Sequence, residues 1–187
     1  ALLKKAASLD IQTICPLHGP VLSKNLEYYI GLYNTWSSYG VESDGIVIAY
    51  TSVYGNTRKA VMQLAEKLKA NGCPKVVVND LARCDKHEAI EDAFRYDRLV
   101  LASVTYNADI FPDMKEFINN LTERNYSNRT IAFIENGSWA PTATKVMKQM
   151  LEKSKNLNYC QTEIKVLSSL SKQNIAEIDN LVGELIK

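Results

Sequence analysis

The sequence predicts a doubly wound α/β domain, with a five-stranded parallel sheet and helices on both faces, over residues 45–187. Three observations predict it. Short continuous apolar runs recur from Gly45 onward, as strands buried on both faces require. Each run is followed by a segment whose apolar residues fall at helical spacing. Strand and helix alternate to the end of the chain, which implies parallel strands joined by crossover helices.

The elements follow in order. Residues 45–51 (GIVIAYT) form the first predicted strand. Residues 57–70 follow as a helix with Ala60, Val61, Leu64, Ala65 and Leu68 on its inner face. Asn71-Gly72 ends it, because glycine suits a left-handed cap. Residues 75–79 are a second strand, 86–94 a helix and 98–103 a third strand. Pro112 opens the next helix at its first turn, where the missing N–H costs nothing, and that helix runs to about residue 123. Residues 129–134 are a fourth strand, 141–155 a helix with Pro141 near its start, 162–167 a fifth strand and 172–187 a closing helix.

Residues 1–44 stand outside this alternation. Residues 11–15 read as a strand, Leu17-His18-Gly19-Pro20 as a turn, 25–38 as an aromatic-rich helix and 39–44 as a linker. So few elements cannot bury a core of their own. This segment is therefore expected to pack on something else, either the domain that follows or a missing partner.

Bulk properties exclude several functions. The 187 residues are 46% hydrophobic and 23% charged, enough for a core without disulfides or metal. A net charge of +1 supplies no field that recruits nucleic acid or an acidic membrane. No apolar run is long enough to span a bilayer, and the opening ALLKKAASLD does not read as a signal peptide. Cys15, Cys73, Cys84 and Cys160 form no Cys-x-x-Cys pair, which argues against a zinc ribbon or a redox dithiol and fits the reduced thiols of a cytoplasmic protein. His18 and His87 alone cannot make a histidine-rich metal cluster.

The chemistry is expected in the strand-end loops. Ser52-Val53-Tyr54-Gly55-Asn56-Thr57 joins the first strand to the first helix. Its hydroxyls and the Asn56 amide are neutral donors, and Gly55 lets the backbone approach a ligand. Successive N–H groups at a helix N-terminus make an anion site. There is no Walker-A lysine and no Gly-x-Gly-x-x-Gly, so triphosphates and dinucleotides fit poorly and a monoester phosphate fits well. A plain polar turn that caps the helix is the competing reading. The loop after the third strand holds Thr105, Tyr106, Asn107 and Ala108, and the loop after the fourth holds Asn136, Gly137, Ser138 and Trp139. Tyr106 and Trp139 would offer flat faces to an isoalloxazine ring, with backbone groups for its pyrimidine edge. Phe111 is expected to pack at the helix entry, and Asp109 and His87 to be solvated.

Tyr50-Thr51-Ser52-Val53-Tyr54-Gly55-Asn56-Thr57 resembles the Thr/Ser-x-x-Gly-x-Thr phosphate loop of flavodoxins. That resemblance implies a flavodoxin-like sheet in the order 2-1-3-4-5. In this order flavodoxins themselves hold flavin mononucleotide (FMN) between the first and third strands, so this step is carried by the resemblance. Ile14-Cys15-Pro16-Leu17-His18-Gly19-Pro20, a helix with Tyr33 and Trp36, and then the flavin domain resemble the flavodiiron proteins (A-type flavoproteins). The resemblance implies that residues 1–44 are the end of a metallo-β-lactamase-like domain plus a linker, and that residues 45–187 are the FMN-binding domain. His18 would then be an iron ligand only in an intact protein of which this chain is a C-terminal piece. It further implies electron transfer to a di-iron site that reduces oxygen or nitric oxide, a rubredoxin-like donor and a homodimer. The alternatives are a flavodoxin-fold NAD(P)H-dependent quinone reductase and a non-flavin anion-binding module. A response-regulator receiver lacks its acidic pair at the first strand end.

Overall fold

The computed structural model describes residues 2–6 and 8–186. Positions 1 and 7 of the N-terminal segment, and the predicted helix end at position 187, lie outside the described residues. The chain divides into two compact units, one up to Glu42 and one from Ser43 onward.

In the first unit, α1 is Leu2–Ala6 and α2 is Leu26–Ser37. The predicted strand at residues 11–15 is not formed. Only an isolated bridge joins Ile14 to Leu22, through bonds of 2.8 and 2.9 Å. With no second strand to extend the ladder, a longer pairing has no partner. No residue of α2 is buried within the described structure. Its Tyr33 and Trp36 rings meet edge to face, and the Trp36 indole donates to Glu42 at 2.8 Å.

The second unit is the doubly wound domain. Its elements run β1 (Ser43–Tyr50), α3 (Asn56–Ala70), β2 (Val76–Asp80), α4 (Lys86–Arg95), β3 (Tyr96–Tyr106), β4 (Asp109–Ile110), α5 (Pro112–Glu123), β5 (Thr130–Asn136), α6 (Ala143–Leu151), β6 (Asn158–Tyr159), β7 (Ile164–Val166) and α7 (Lys172–Leu185). The parallel path is β2-β1-β3-β5-β6, with β7 on the same edge of β5 as β6, so the predicted 2-1-3-4-5 order holds with its fifth strand in two pieces. Alternate side chains of β1, β3 and β5 feed two cores. Val47, Leu99, Leu101 and Phe133 pack with α4, α5 and α6; Ile46, Ile48, Val100 and Ile134 pack with α3 and α7.

Two differences from expectation have local causes. The fifth strand is interrupted because Glu184 of α7 accepts the amides of Gln161 (2.7 Å) and Thr162 (3.0 Å), which turns them away from β5. The helix predicted from residue 141 begins at Ala143, because the Thr105 hydroxyl accepts the Thr142 and Ala143 amides at 2.9 and 3.2 Å. At the other end of the sheet Gly45 has no alternative, since an added Cβ would lie 2.6 Å from the Tyr96 ring.

Candidate functional site

The carboxyl ends of β1, β3, β5 and β7 converge on one cavity, and the β1 loop sets its anion end. Gly55 turns into α3 with φ +85°, and open space surrounds the place its Cβ would take. The Ser52 hydroxyl accepts the Gly55 amide (3.1 Å) and the Arg58 amide (3.3 Å), which curls the loop about Ser52. Gly55, the N-cap residue of α3, has no side chain to cap the helix and Ser52 takes only the Arg58 amide of its first turn, so the amides before it and the positive dipole end are available to an anion. Thr57 is buried in the first turn. Beneath the loop the buried hydroxyls of Thr51 and Ser103 meet at 3.1 Å and tie β1 to β3. Tyr50 donates to Asp80 at 3.1 Å; burial, followed by this carboxylate, raises its phenol pKa.

The β3 loop is a hairpin rather than an open loop. β3 pairs with β4 through Thr105–Ile110 and Tyr106–Asp109. Asn107 (φ +51°) and Ala108 (φ +57°) form its two-residue turn, with the paired left-handed residues of a type I′ turn. Tyr106 packs edge-on against Phe111 at 5.4 Å. Asp109 is not merely solvated: it accepts the Ile110 amide and pairs with Lys115, and these contacts hold its carboxyl pKa below the usual range.

The β5 loop is held by neighbours on both sides. Buried Asn136 donates its side-chain amide to the Ser168 carbonyl at 3.3 Å, and the Gly137 amide reaches Val166 O at 3.1 Å. A Cβ on Gly137 would lie 3.0 Å from the Pro141 side chain. The buried Glu135 carboxylate accepts the Thr144 amide (3.0 Å) and pairs with Lys165 (3.2 Å).

The resulting cavity has a volume of about 280 Å³. Ser52, Val53, Tyr54, Asn56, Thr57, Thr105, Tyr106, Asn136, Gly137 and Ser138 line it, as the sequence reading grouped them. Gly55, Asn107, Ala108 and Trp139 are not among its lining residues; Trp139 is 88% exposed beside it. Val104 and Ser168 line it and were not foreseen. The signal that points to Ser168 is its position just past β7, since ligands of such sheets collect at strand carboxyl ends. None of the lining residues carries a charge. Neutral hydroxyl and amide donors beside a helix N-terminus match a monoester phosphate. The half-exposed Tyr106 ring suits a flat heterocycle. Among the described residues no group of three or more metal-ligating side chains exists, and His18 and His87 are both exposed. No helix among them is long and apolar enough to cross a membrane.

A family model described as a flavodoxin domain matches residues 47–182. The chain is 29% identical over 149 residues to a nitric oxide reductase of Moorella thermoacetica, covering 79% of this chain and 37% of the relative. Its fold superposes with a TM-score of 0.87 and 17% identity on the flavodiiron protein from Giardia intestinalis, and with 0.84 and 19% on the rubredoxin oxygen:oxidoreductase from Desulfovibrio gigas. Each of these two likenesses covers 98% of this chain and 46% of the solved one. The chain thus spans less than half the length of each of these three proteins. The resemblance to flavodiiron proteins read from the sequence is borne out by them.

Proposed function

Because the chain belongs to the flavodoxin-domain family, we propose that residues 45–187 bind FMN specifically and relay electrons through it. The observation that carries this reading is the uncharged, hydroxyl-lined cavity at the strand ends, with the α3 N-terminus at its wall. Ser52, Asn56, Thr57 and the amides of the Val53-Tyr54-Gly55 turn hold the phosphate. Tyr106 and Trp139 face the ring. Backbone groups of Thr105–Ala108 and Asn136–Trp139 meet its edge. Bound there, the flavin supplies one- or two-electron redox chemistry, while the chain sets its orientation and potential. A cavity wall without a cation gives no help to added negative charge, which keeps the potential low.

In a longer protein of the flavodiiron type, the residues up to position 44 would close a metallo-β-lactamase-like domain, with His18 among its iron ligands. Electrons would arrive from a rubredoxin-like donor and leave to a di-iron site that reduces oxygen or nitric oxide. Two such chains would pair in the cytoplasm, bringing one chain's flavin to the other's irons.

The test is a visible absorption spectrum of the purified chain, followed by FMN and riboflavin titration of the flavin-free form. Flavin bands, or uptake of FMN well ahead of riboflavin, support the reading. A colourless chain that takes up neither ligand overturns it.

A further inference from the structure

We infer that Ser168 is a binding residue of the flavin cavity, whose hydroxyl, paired with that of Ser138, recognises the ribityl chain. The inference rests on the FMN reading above.

Ser168 is held in an unfavourable conformation. Its φ is +68°, and the Ser169 amide donates to the Leu167 carbonyl across it at 2.9 Å. A bond that spans one residue of positive φ makes the rarer, strained kind of γ-turn. Such strain persists only where the surroundings over-determine it. Here two contacts from the β5 loop do so. The Asn136 side chain donates to the Ser168 carbonyl at 3.3 Å, and the Ser138 and Ser168 hydroxyls meet at 2.7 Å. All of these residues except Leu167 and Ser169 line the cavity.

A hydrogen count shows what the pair offers. Two hydroxyls carry two hydrogens, and their mutual bond uses one. Neither hydroxyl makes another bond among the described residues. One neutral donor, with spare acceptor lone pairs, is therefore left at the wall. Ser168 precedes by three residues the Ser171 cap of α7, and α7 packs against α3, the helix that opens from the anion loop. The phosphate belongs to that loop and the ring to Tyr106. A ligand part that both donates and accepts without charge lies between them, and in FMN that part is the polyol chain.

The test titrates FMN, riboflavin and lumiflavin, which has no ribityl chain, into the flavin-free full chain. It compares wild type with Ser168→Ala and Ser168→Gly. Alanine removes the hydroxyl and keeps the strain; glycine removes both. Both variants should lose roughly three- to tenfold in affinity for FMN and for riboflavin alike, the size of one hydrogen bond. Lumiflavin affinity should stay unchanged, and the glycine variant should melt no lower than wild type. Unchanged FMN affinity in both variants would overturn the role of Ser168 alone. So would a loss confined to FMN, which makes the contact a phosphate one, or an equal loss for lumiflavin, which makes it a ring-shaping one. A wild type that binds no flavin overturns the FMN reading and this inference together.

Discussion

Ala108 sits at φ +57° in the β3–β4 turn, where a Cβ crowds the following carbonyl and costs roughly 1–2 kcal/mol. Glycine relieves that crowding but has more freedom to lose on folding, which offsets about half of the gain. Ala108→Gly should therefore raise stability by up to about 1 kcal/mol, read as a shift in the urea midpoint. A loss would mean that the Ala108 methyl makes a contact that matters more. Thr57 presents a different balance. It is buried in the first turn of α3 yet lines the cavity, so valine keeps its shape and removes only the hydroxyl. Thr57→Val should weaken FMN roughly tenfold and riboflavin much less. Equal losses would place the hydroxyl away from the phosphate. At this scale the sequence was a good guide to the β1 loop, because hydroxyls, a glycine and a helix start are all local features. It names Trp139 as a ring face but does not fix the direction of that side chain, which is 88% exposed, because the direction of a loop side chain depends on what packs around it.

Elements depend on contacts that single residues reach across the chain. Arg129, buried at the start of β5, donates to the carbonyls of Tyr96 (2.8 Å), Ser127 and Asn128 (3.1 Å each) and Phe94. It thereby closes the end of α4 and the entry to β3. Arg129→Met preserves much of the volume but leaves buried carbonyls without donors. It should cost about 2–4 kcal/mol, seen as a lower urea midpoint with an unchanged slope. A cost under 1 kcal/mol would mean that water replaces the guanidinium there. The apolar runs made the strands legible, and the helical spacing made the helices so. The split of the fifth strand was not legible, because Glu184, which accepts the amides of Gln161 and Thr162, lies on the last helix. The β3–β4 hairpin was also missed, since Asn-Ala lacks the glycine that usually marks such a turn.

The whole domain is two cores divided by one sheet, and its titration reflects that burial. Burial, then the nearby Glu184 carboxylate, pushes the Cys160 thiol up from 9.0 to about 11. Burial raises the Tyr50 and Tyr126 phenols as well. Each of these groups holds its proton more tightly folded than unfolded. On the alkaline side these groups leave stability level from pH 7 to about 9 and lower it as the pH rises toward 11. Melting temperatures measured from pH 7 to 11 check this, and Cys160→Ala should make the decline shallower. A melting temperature that rises through that range would contradict the assignment.

The residue pattern by itself determined the alternation of strand and helix, the parallel sheet and the three strand-end loops whose residues line the cavity. Each of these is set by neighbours along the chain: the period of apolar residues, the place of a glycine, the hydroxyls at a helix start. Only the tertiary structure decided that Thr105 fixes the start of α6, that Glu184 breaks the fifth strand and that Ser168 forms a fourth wall of the cavity. Those three contacts join residues at least 22 positions apart. Strand register and helix packing bring them together, and no local pattern encodes which distant group will satisfy a given amide or hydroxyl.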